Sequence, residues 1–361
     1  FETWALLVLE MKSQLGLLEN PYVDTDAIPA IYADPSGIEI SRKIAEQSIV
    51  LLKNEGNLLP LKADTVAVIG PHADSARLLQ GDYHYPSHME GIFGMDENME
   101  APTPEGEAAK EINWEDHRPP TTTILQGGQS ALTHPPEIMY VKGCEVTGDD
   151  KSGFAEAVQA AQSADVVVLT VGDISGLGIG NTVGESRDSA TLRLPGVQQD
   201  LIEAIHATGK PIVLILVTGR PYALEWHHEN IPAIIEAWFP AEQGGNAIAD
   251  VLYGNVNPSG KLTVSFPRHV GQVPVYYNHK PSGQRSHWYG NYTDLDVKPL
   301  YPFGHGLSYT TFEYSNLSIS ATEVAPDGNV KITCDVKNTG DRTGDEIVQL
   351  YLQDVVSSVS R

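Results

Sequence analysis

Cysteine and positive charge are scarce in this 361-residue sequence, which has two Cys and 23 Lys and Arg against 47 Asp and Glu. Cys144 and Cys334 are far apart and fall in different segments, so a disulfide framework is not indicated and two thiols do not make a zinc site. The formal net charge of −24 argues against nucleic acid and anionic membrane surfaces as partners. No apolar run approaches the length that spans a bilayer. The opening "FETWALLVLEMKSQLGLLE" lacks the basic n-region of a signal peptide. Two catalytic signatures are also missing. The run "VAVIG" continues as "GPHADSARLL", with a single Gly where a dinucleotide fingerprint needs three and with Asp74 where a phosphate would sit. "GDISGLG" does not have the G-x-S-x-G spacing of a serine nucleophile elbow. His84 and His88 flank Pro86, which disfavours the helix that would put them on one face. His227 and His228 fall in an expected exposed helix with no Cys or carboxylate cluster beside them. No metal and no cofactor is therefore expected.

What is present is an alternation of short Val/Ile-rich runs with helical patterns. The first segment reads as an amphipathic helix with Trp4, Leu7, Val8, Met11 and Leu15 on one side and Gly16 as its stop. "NPYVDTDAIPAIYADPSG" reads as a linker, and "IEISRKIAEQSIVLLKNEG" as one helix with Ile40, Ile44, Ile49 and Leu52 on a face, ended by Gly56. From Thr65 onward "TVAVIGP", "IMYVKGC", "DVVVLTVG", "PIVLILVTGRP" and "AIIEAWFP" read as strands. "GFAEAVQAAQSA", "LPGVQQDLIEAIHATG" and "GGNAIADVLYG" read as helices among them. Such alternation predicts an α/β fold with a mostly parallel, doubly wound sheet. Residues 81–120 lose period and read as a long insertion. After Pro267 the Tyr-, His-, Gly- and Pro-rich stretch reads as an extended connector. From Phe312 the alternation in "VKITCDV" and "EIVQLYL", with "PDG" and "NTGDRTGD" turns, predicts the start of a β-sandwich with too few strands to close it.

The stretch "TVGDISGLGIGNTVGESRDSATLRLPGVQQ" holds the strongest functional signal. It follows an expected parallel strand, at the end of the sheet where open α/β folds bind ligands. Gly176, Gly178, Gly180 and Gly184 would let it reach over a neighbouring surface. It carries Glu185, with Arg187 and Asp188 placed to tune its charge.

Several long motifs together resemble glycoside hydrolase family 3, the family of β-glucosidases, β-xylosidases and related exo-acting enzymes. They are "SRKIAEQSIVLLKNEGNLLPL", "VAVIGPHAD", "VGESRDSATLRLPGVQQDLIEAI", "ILVTGRPYAL", "AWFPAEQGGNAIADVLYGNVNPSGKLTVSFPR", "YYNHKPSG" and "PLYPFGHGLSYTTFEY". The resemblance covers nearly the whole chain and keeps the family's order. It implies a (β/α)8-type barrel, an α/β sandwich domain and a fibronectin-III-like domain in succession. On that map residues 1–30 are the tail of an upstream barrel and 31–64 a linker and helix. Residues 65–267 are the α/β sandwich, 268–311 a connector, and 312–361 the start of the fibronectin-III-like domain.

The resemblance further implies hydrolysis of terminal non-reducing β-D-glucosyl residues with retention, by an aspartate nucleophile on the barrel and a glutamate acid/base on the sandwich. Glu185 in "GESRDSATLRLP" matches that glutamate. Ser189 stands where the family pattern has Arg, so an Asp188–Arg pair is absent from the loop. Asp188 and Tyr83, the latter in "GPHADSARLLQGDYHYPSH", match positions expected to contact substrate, Tyr83 by stacking on the leaving-group sugar. A retaining pair of carboxyls must lie ~5–5.5 Å apart. The nucleophile is expected upstream of Phe1, so this chain needs the barrel and is expected to be inactive alone. Should the second carboxylate lie within the chain, Asp82 and Asp173 are the first candidates. The expected partner is a small oligosaccharide or aryl glycoside, with no nucleic acid and no membrane. A homo-oligomer is compatible with the sequence, and the cytoplasm is preferred to secretion. A β-xylosidase, or a non-catalytic carbohydrate-binding remnant, is the alternative reading.

Overall fold

The computed structural model describes residues 2–32, 34–93, 118–178, 180–278 and 290–356. The chain divides into two compact units, Phe1–Ser41 and Arg42–Arg361. In the first, α1 (Glu2–Gln14) ends where Gly16 takes a left-handed φ of +70°. Its apolar groups do not keep to one side: Leu6 and Leu9 are exposed along with Trp4, Leu7, Val8 and Met11. A short α2 (Ile28–Tyr32) follows. Helix α3 (Pro35–Ser48) starts at an Asp34 cap, whose Oδ1 accepts the Ser36 N–H at 3.1 Å.

The second unit is built on a six-stranded sheet. Its strands are β1 (Val50–Asn54), β2 (Thr65–Ile69), β3 (Glu137–Val141), β4 (Val166–Gly172), β5 (Ile212–Val217) and β6 (Ala233–Glu236), in the order β1-β6-β5-β4-β2-β3. All neighbours are parallel except the edge pair β1 and β6. Strands β4 and β5 are buried along their whole lengths. Val167, Leu169 and Val171 enter one core layer, and Val166 and Val168 the other. That two-sided burial explains why parallel strands read as continuous apolar runs. One layer is closed by α6 (Phe154–Ser163) and α7 (Gln198–His206) through Ala157, Ala161, Leu201 and Ile205. The other is closed by α5 (Ile124–Ser130) and α9 (Gly244–Tyr253) through Ile124, Ile248 and Val251.

Three further expectations, all about helices, are corrected. The helix expected to run to Gly56 ends at Ser48, and β1 takes the rest. Val50, Leu51 and Leu52 are consecutive and all buried, Leu51 in one layer and its two neighbours in the other. A strand between two layers can bury such a run, whereas a helix with one buried face cannot. Pro86 does not prevent a helix. It sits in the first turn of α4 (Tyr85–Phe93), where its missing N–H has no helical partner to lose. Residues 94–117 of the expected insertion, and 279–289 of the expected connector, lie outside the described residues. In the third case His227, on α8 (Glu225–Asn230), is buried rather than exposed, and burial lowers its pKa to about 4.

Beyond the sheet, β7 (Phe312–Ile319) and β8 (Ile332–Asn338) form an antiparallel hairpin. The strand expected at "EIVQLYL" is absent among the described residues, where no neighbouring strand offers it a hydrogen-bonding ladder. Its side chains are used singly instead: Glu346 accepts the Tyr314 hydroxyl at 2.7 Å, and the Gln349 amide donates to Gly304 O at 2.9 Å. Among the described residues no helix is long and apolar enough to cross a membrane.

Candidate active site

In the strand order, β2 leads outward to β3 while β4 leads the other way to β5 and β6. The connectivity reverses between β2 and β4, the position at which an open parallel sheet leaves a crevice beyond its carboxyl ends. The two loops that leave these strands carry the sequence candidates. Leaving β2, Gly70 has φ +120°, and a Cβ there would stand 2.0 Å from Thr170 O of β4. Only glycine lets the strands stay this close as the chain turns. His72 follows, fully buried, and donates Nε2–H to Asp173 O at 2.8 Å. Burial lowers its pKa to about 4, against the raising effect of that carbonyl. It is therefore a neutral bolt between the two loops.

The loop leaving β4 begins at Asp173, which is fully buried. Its Oδ1 accepts the hydroxyls of Tyr222 at 2.5 Å and Thr182 at 2.7 Å, and its Oδ2 accepts Gly219 N–H at 3.1 Å. The loop then folds back on itself, Thr182 N–H donating to Ile174 O at 2.9 Å and Gly176 N–H to Val183 O at 3.0 Å. Arg77 clamps one side by donating to Ser175 O at 2.7 Å, and its Nε pairs with Glu90 at 2.7 Å. Arg220 clamps the other, donating to Thr182 O at 2.9 Å and Arg187 O at 2.6 Å. Arg187 donates to Leu177 O at 2.6 Å. That bond braces the loop, whereas the position of Arg187 beside Glu185 in sequence suggests charge tuning. Beneath the loop Glu236 closes β6, fully buried, its Oε1 accepting Trp238 N–H at 2.9 Å and its Oε2 the Thr218 hydroxyl at 3.0 Å. Burial pushes its pKa well above the ordinary carboxyl range, and Asp173 adds to the shift.

Glu185 leaves this braced loop as an exposed side chain. Tyr83 donates its hydroxyl to Glu185 Oε2 at 2.7 Å, and Asp82 Oδ2 accepts the Glu185 backbone N–H at 2.7 Å. Tyr83 is itself 75% exposed, with one ring face 5.5 Å from the His88 ring at an interplanar angle of 25°. The hydrogen bond to Glu185 raises the phenol pKa, so Tyr83 stays a donor. The structure therefore brings Tyr83 and Glu185 together. Asp188 is exposed and has no hydrogen bond or ion pair among the described residues. Asp82 and Asp173, the reserve carboxylates, are buried and committed to backbone and hydroxyl donors of the loop. Asp74, the residue that spoiled the dinucleotide pattern, accepts the hydroxyl of Thr123, the N-cap of α5, at 2.8 Å. The bracing by Arg77, Arg220 and Thr182 was missed from sequence. Arg220 stands directly after a buried strand in "VTGRP", which is the one local signal for it.

Residues 49–309 match the model of the glycosyl hydrolase family 3 C-terminal domain. The chain belongs to glycoside hydrolase family 3. Family 3 relatives include a β-xylosidase of Formosa agariphila, 39% identical over 98% of this chain and 45% of its own length. A periplasmic β-glucosidase of Salmonella typhimurium is 38% identical over 98% of this chain and 46% of its own. Among solved structures, a β-glucosidase from Listeria innocua in complex with laminaribiose superposes with a TM-score of 0.79 at 31% identity, covering 98% of this chain and 45% of that one. The chain thus spans less than half the length of each of these three proteins.

Proposed function

We propose that this chain supplies the acid/base half of a retaining exo-β-glycosidase acting on terminal non-reducing β-D-glucosyl residues, with Glu185 as the acid/base. The observation that carries the reading is the exposed Glu185 carboxylate at the switch point of the sheet, held by Tyr83 on a braced loop. In the first step Glu185 gives its proton to the glycosidic oxygen while a carboxylate nucleophile attacks the anomeric carbon and the leaving alcohol departs. In the second, Glu185 takes a proton from water as that water displaces the nucleophile from the sugar. With Asp82 and Asp173 buried in loop bonds, the nucleophile is assigned to the barrel expected upstream. Tyr83 presents its open ring face to the leaving-group sugar, and Asp188 offers a free carboxylate to a hydroxyl. Residues 312–361 form the start of a fibronectin-III-like domain in this reading. The β-xylosidase reading stands second, supported by the identity to the Formosa enzyme.

The test is hydrolysis of aryl β-glucosides and β-xylosides by the full-length polypeptide, with the first-formed sugar anomer followed by NMR. Release of the β-anomer first is expected, faster from the glucoside. First release of the α-anomer would overturn retention, and no turnover of either substrate would return the chain to a carbohydrate-binding role.

A further inference from the structure

Glu185 is held at two points by two consecutive residues, and only one of them touches its carboxylate. Tyr83 binds the side chain and Asp82 binds the backbone amide. We propose that Asp82 is a positioning residue that fixes the direction in which Glu185 leaves its loop; the proposal rests on the reading of Glu185 as the acid/base.

Asp82 is 8% exposed. A buried carboxylate is costly unless its oxygens are well used, and here they are not. No ion pair involves Asp82 among the described residues, and its Oδ1 has no hydrogen-bond partner there. Its one side-chain bond runs, at 2.7 Å, to the amide of Glu185, 103 residues further along the chain. Stability gives a poor account of this residue, since an apolar side chain would fill the same place without a half-used charge.

The backbone it meets is bent for the contact. Gly184 has φ +129°, and a Cβ on it would lie 2.6 Å from Gly176 O and 3.1 Å from Asp82 Oδ2. Ser186, on the other side, has φ +60°, an uncommon conformation for a residue with a side chain. Glu185 thus stands at the crest of a kink made by two left-handed neighbours. Such a kink persists only when its surroundings over-determine it. The amide at its crest points inward to Asp82, so the side chain points out to Tyr83. Without that anchor the kink relaxes and the carboxylate swings away from the glycosidic oxygen. A displacement of ~1 Å costs on the order of a hundredfold in rate.

The experiment compares Asp82→Ala, Asp82→Asn and Glu185→Gln in the full-length polypeptide, by hydrogen exchange of the peptide holding Glu185 and by kinetics on aryl β-glucosides. Asp82→Ala is expected to speed exchange there by about tenfold or more. Its kcat/KM, which reports the first step, is expected to fall about a hundredfold on a poor leaving group and far less on a dinitrophenyl glycoside, which needs no protonation. In Asp82→Asn the amide oxygen accepts the same N–H, so both readouts should return close to the parent. Asp82→Glu, which keeps the charge but displaces the oxygen, replaces Asp82→Ala if that variant does not fold, and is expected to show the same losses. The proposal is overturned if exchange and kcat/KM are unchanged, if kcat/KM falls equally on all leaving groups, or if Asp82→Asn is as impaired as Asp82→Ala. If Glu185→Gln itself shows no dependence on leaving group, the acid/base reading fails. The exchange measurement then decides alone whether Asp82 holds residue 185.

Discussion

Replacing Asp173 by Ala tests whether the loop of Glu185 is anchored from beneath or whether Asp173 reacts with substrate. The carboxylate is fully buried and accepts three bonds, from Tyr222 at 2.5 Å, Thr182 at 2.7 Å and Gly219 N–H at 3.1 Å. Removing it strands the buried Tyr222 hydroxyl and the Gly219 amide and frees the turn that returns the chain to Ile174. Hydrogen bonds to a charged group are worth about 1.5–3 kcal/mol each. Relief from burying the charge offsets part of that sum, which leaves a net loss of about 3–5 kcal/mol. At roughly 2–4 °C per kcal/mol for a domain of this size, Tm should fall on the order of 10 °C. Thermal unfolding of the full-length polypeptide, followed by tryptophan fluorescence, reads this directly, since Trp226 and Trp238 pack against the sheet core. Asp173→Asn keeps one oxygen for the two hydroxyls and should recover more than half of the loss. An Asp173→Ala protein with unchanged Tm and abolished hydrolysis would refute the anchoring role and make Asp173 a reacting carboxylate.

Two further outcomes follow from the same packing. Glu236 has its folded pKa raised above the ordinary 4.5 by burial, so the folded state holds a proton that the unfolded state has released, and stability is lost as pH rises above that value. In Glu236→Gln the amide oxygen can serve Trp238 N–H while the NH2 group faces the Thr218 hydroxyl, so the variant should match the parent in acid and gain on it steadily toward neutral pH in denaturant titrations. A constant difference at all pH values would contradict this. Gly127→Ala should destabilise the fold by about 3 kcal/mol, because its Cβ would meet Gly245 O at 2.1 Å where α5 crosses α9; a melting temperature equal to the parent's would show that the helices can separate freely.

Much of this architecture is legible in local sequence, for a physical reason. Strands β2, β4, β5 and β6 pair in parallel with one another and are mostly or wholly buried on both faces, so each is a predominantly apolar run between helical patterns. The Glu185 loop stands out because its glycines break that regularity after β4. What stayed hidden depends on distant partners. The edge strand β1 follows a helix without a break and becomes a strand only through its antiparallel pairing with β6. The alternation of "EIVQLYL" is correct for a strand, yet no neighbour among the described residues completes it. His227 looked exposed because the core that buries it is assembled from other parts of the chain. Tyr83 and Glu185 were each legible, but the bond between them, and the bond from Asp82 to the Glu185 amide, arise only when the loops of β2 and β4 meet at the switch point.

Glu185→Gln in the full-length polypeptide measures most directly whether Glu185 acts as proton donor and acceptor. Glycosides with poor leaving groups need protonation, whereas activated aryl glycosides do not. The variant is expected to lose about a hundredfold or more in kcat/KM on the former and far less on the latter. Added azide should then restore turnover of the activated substrate, releasing a glycosyl azide of retained configuration, because a small anion needs no general base to attack the intermediate. Equal losses on both substrate classes, with no rescue by azide, would contradict the assignment and leave Glu185 a surface carboxylate on a braced loop.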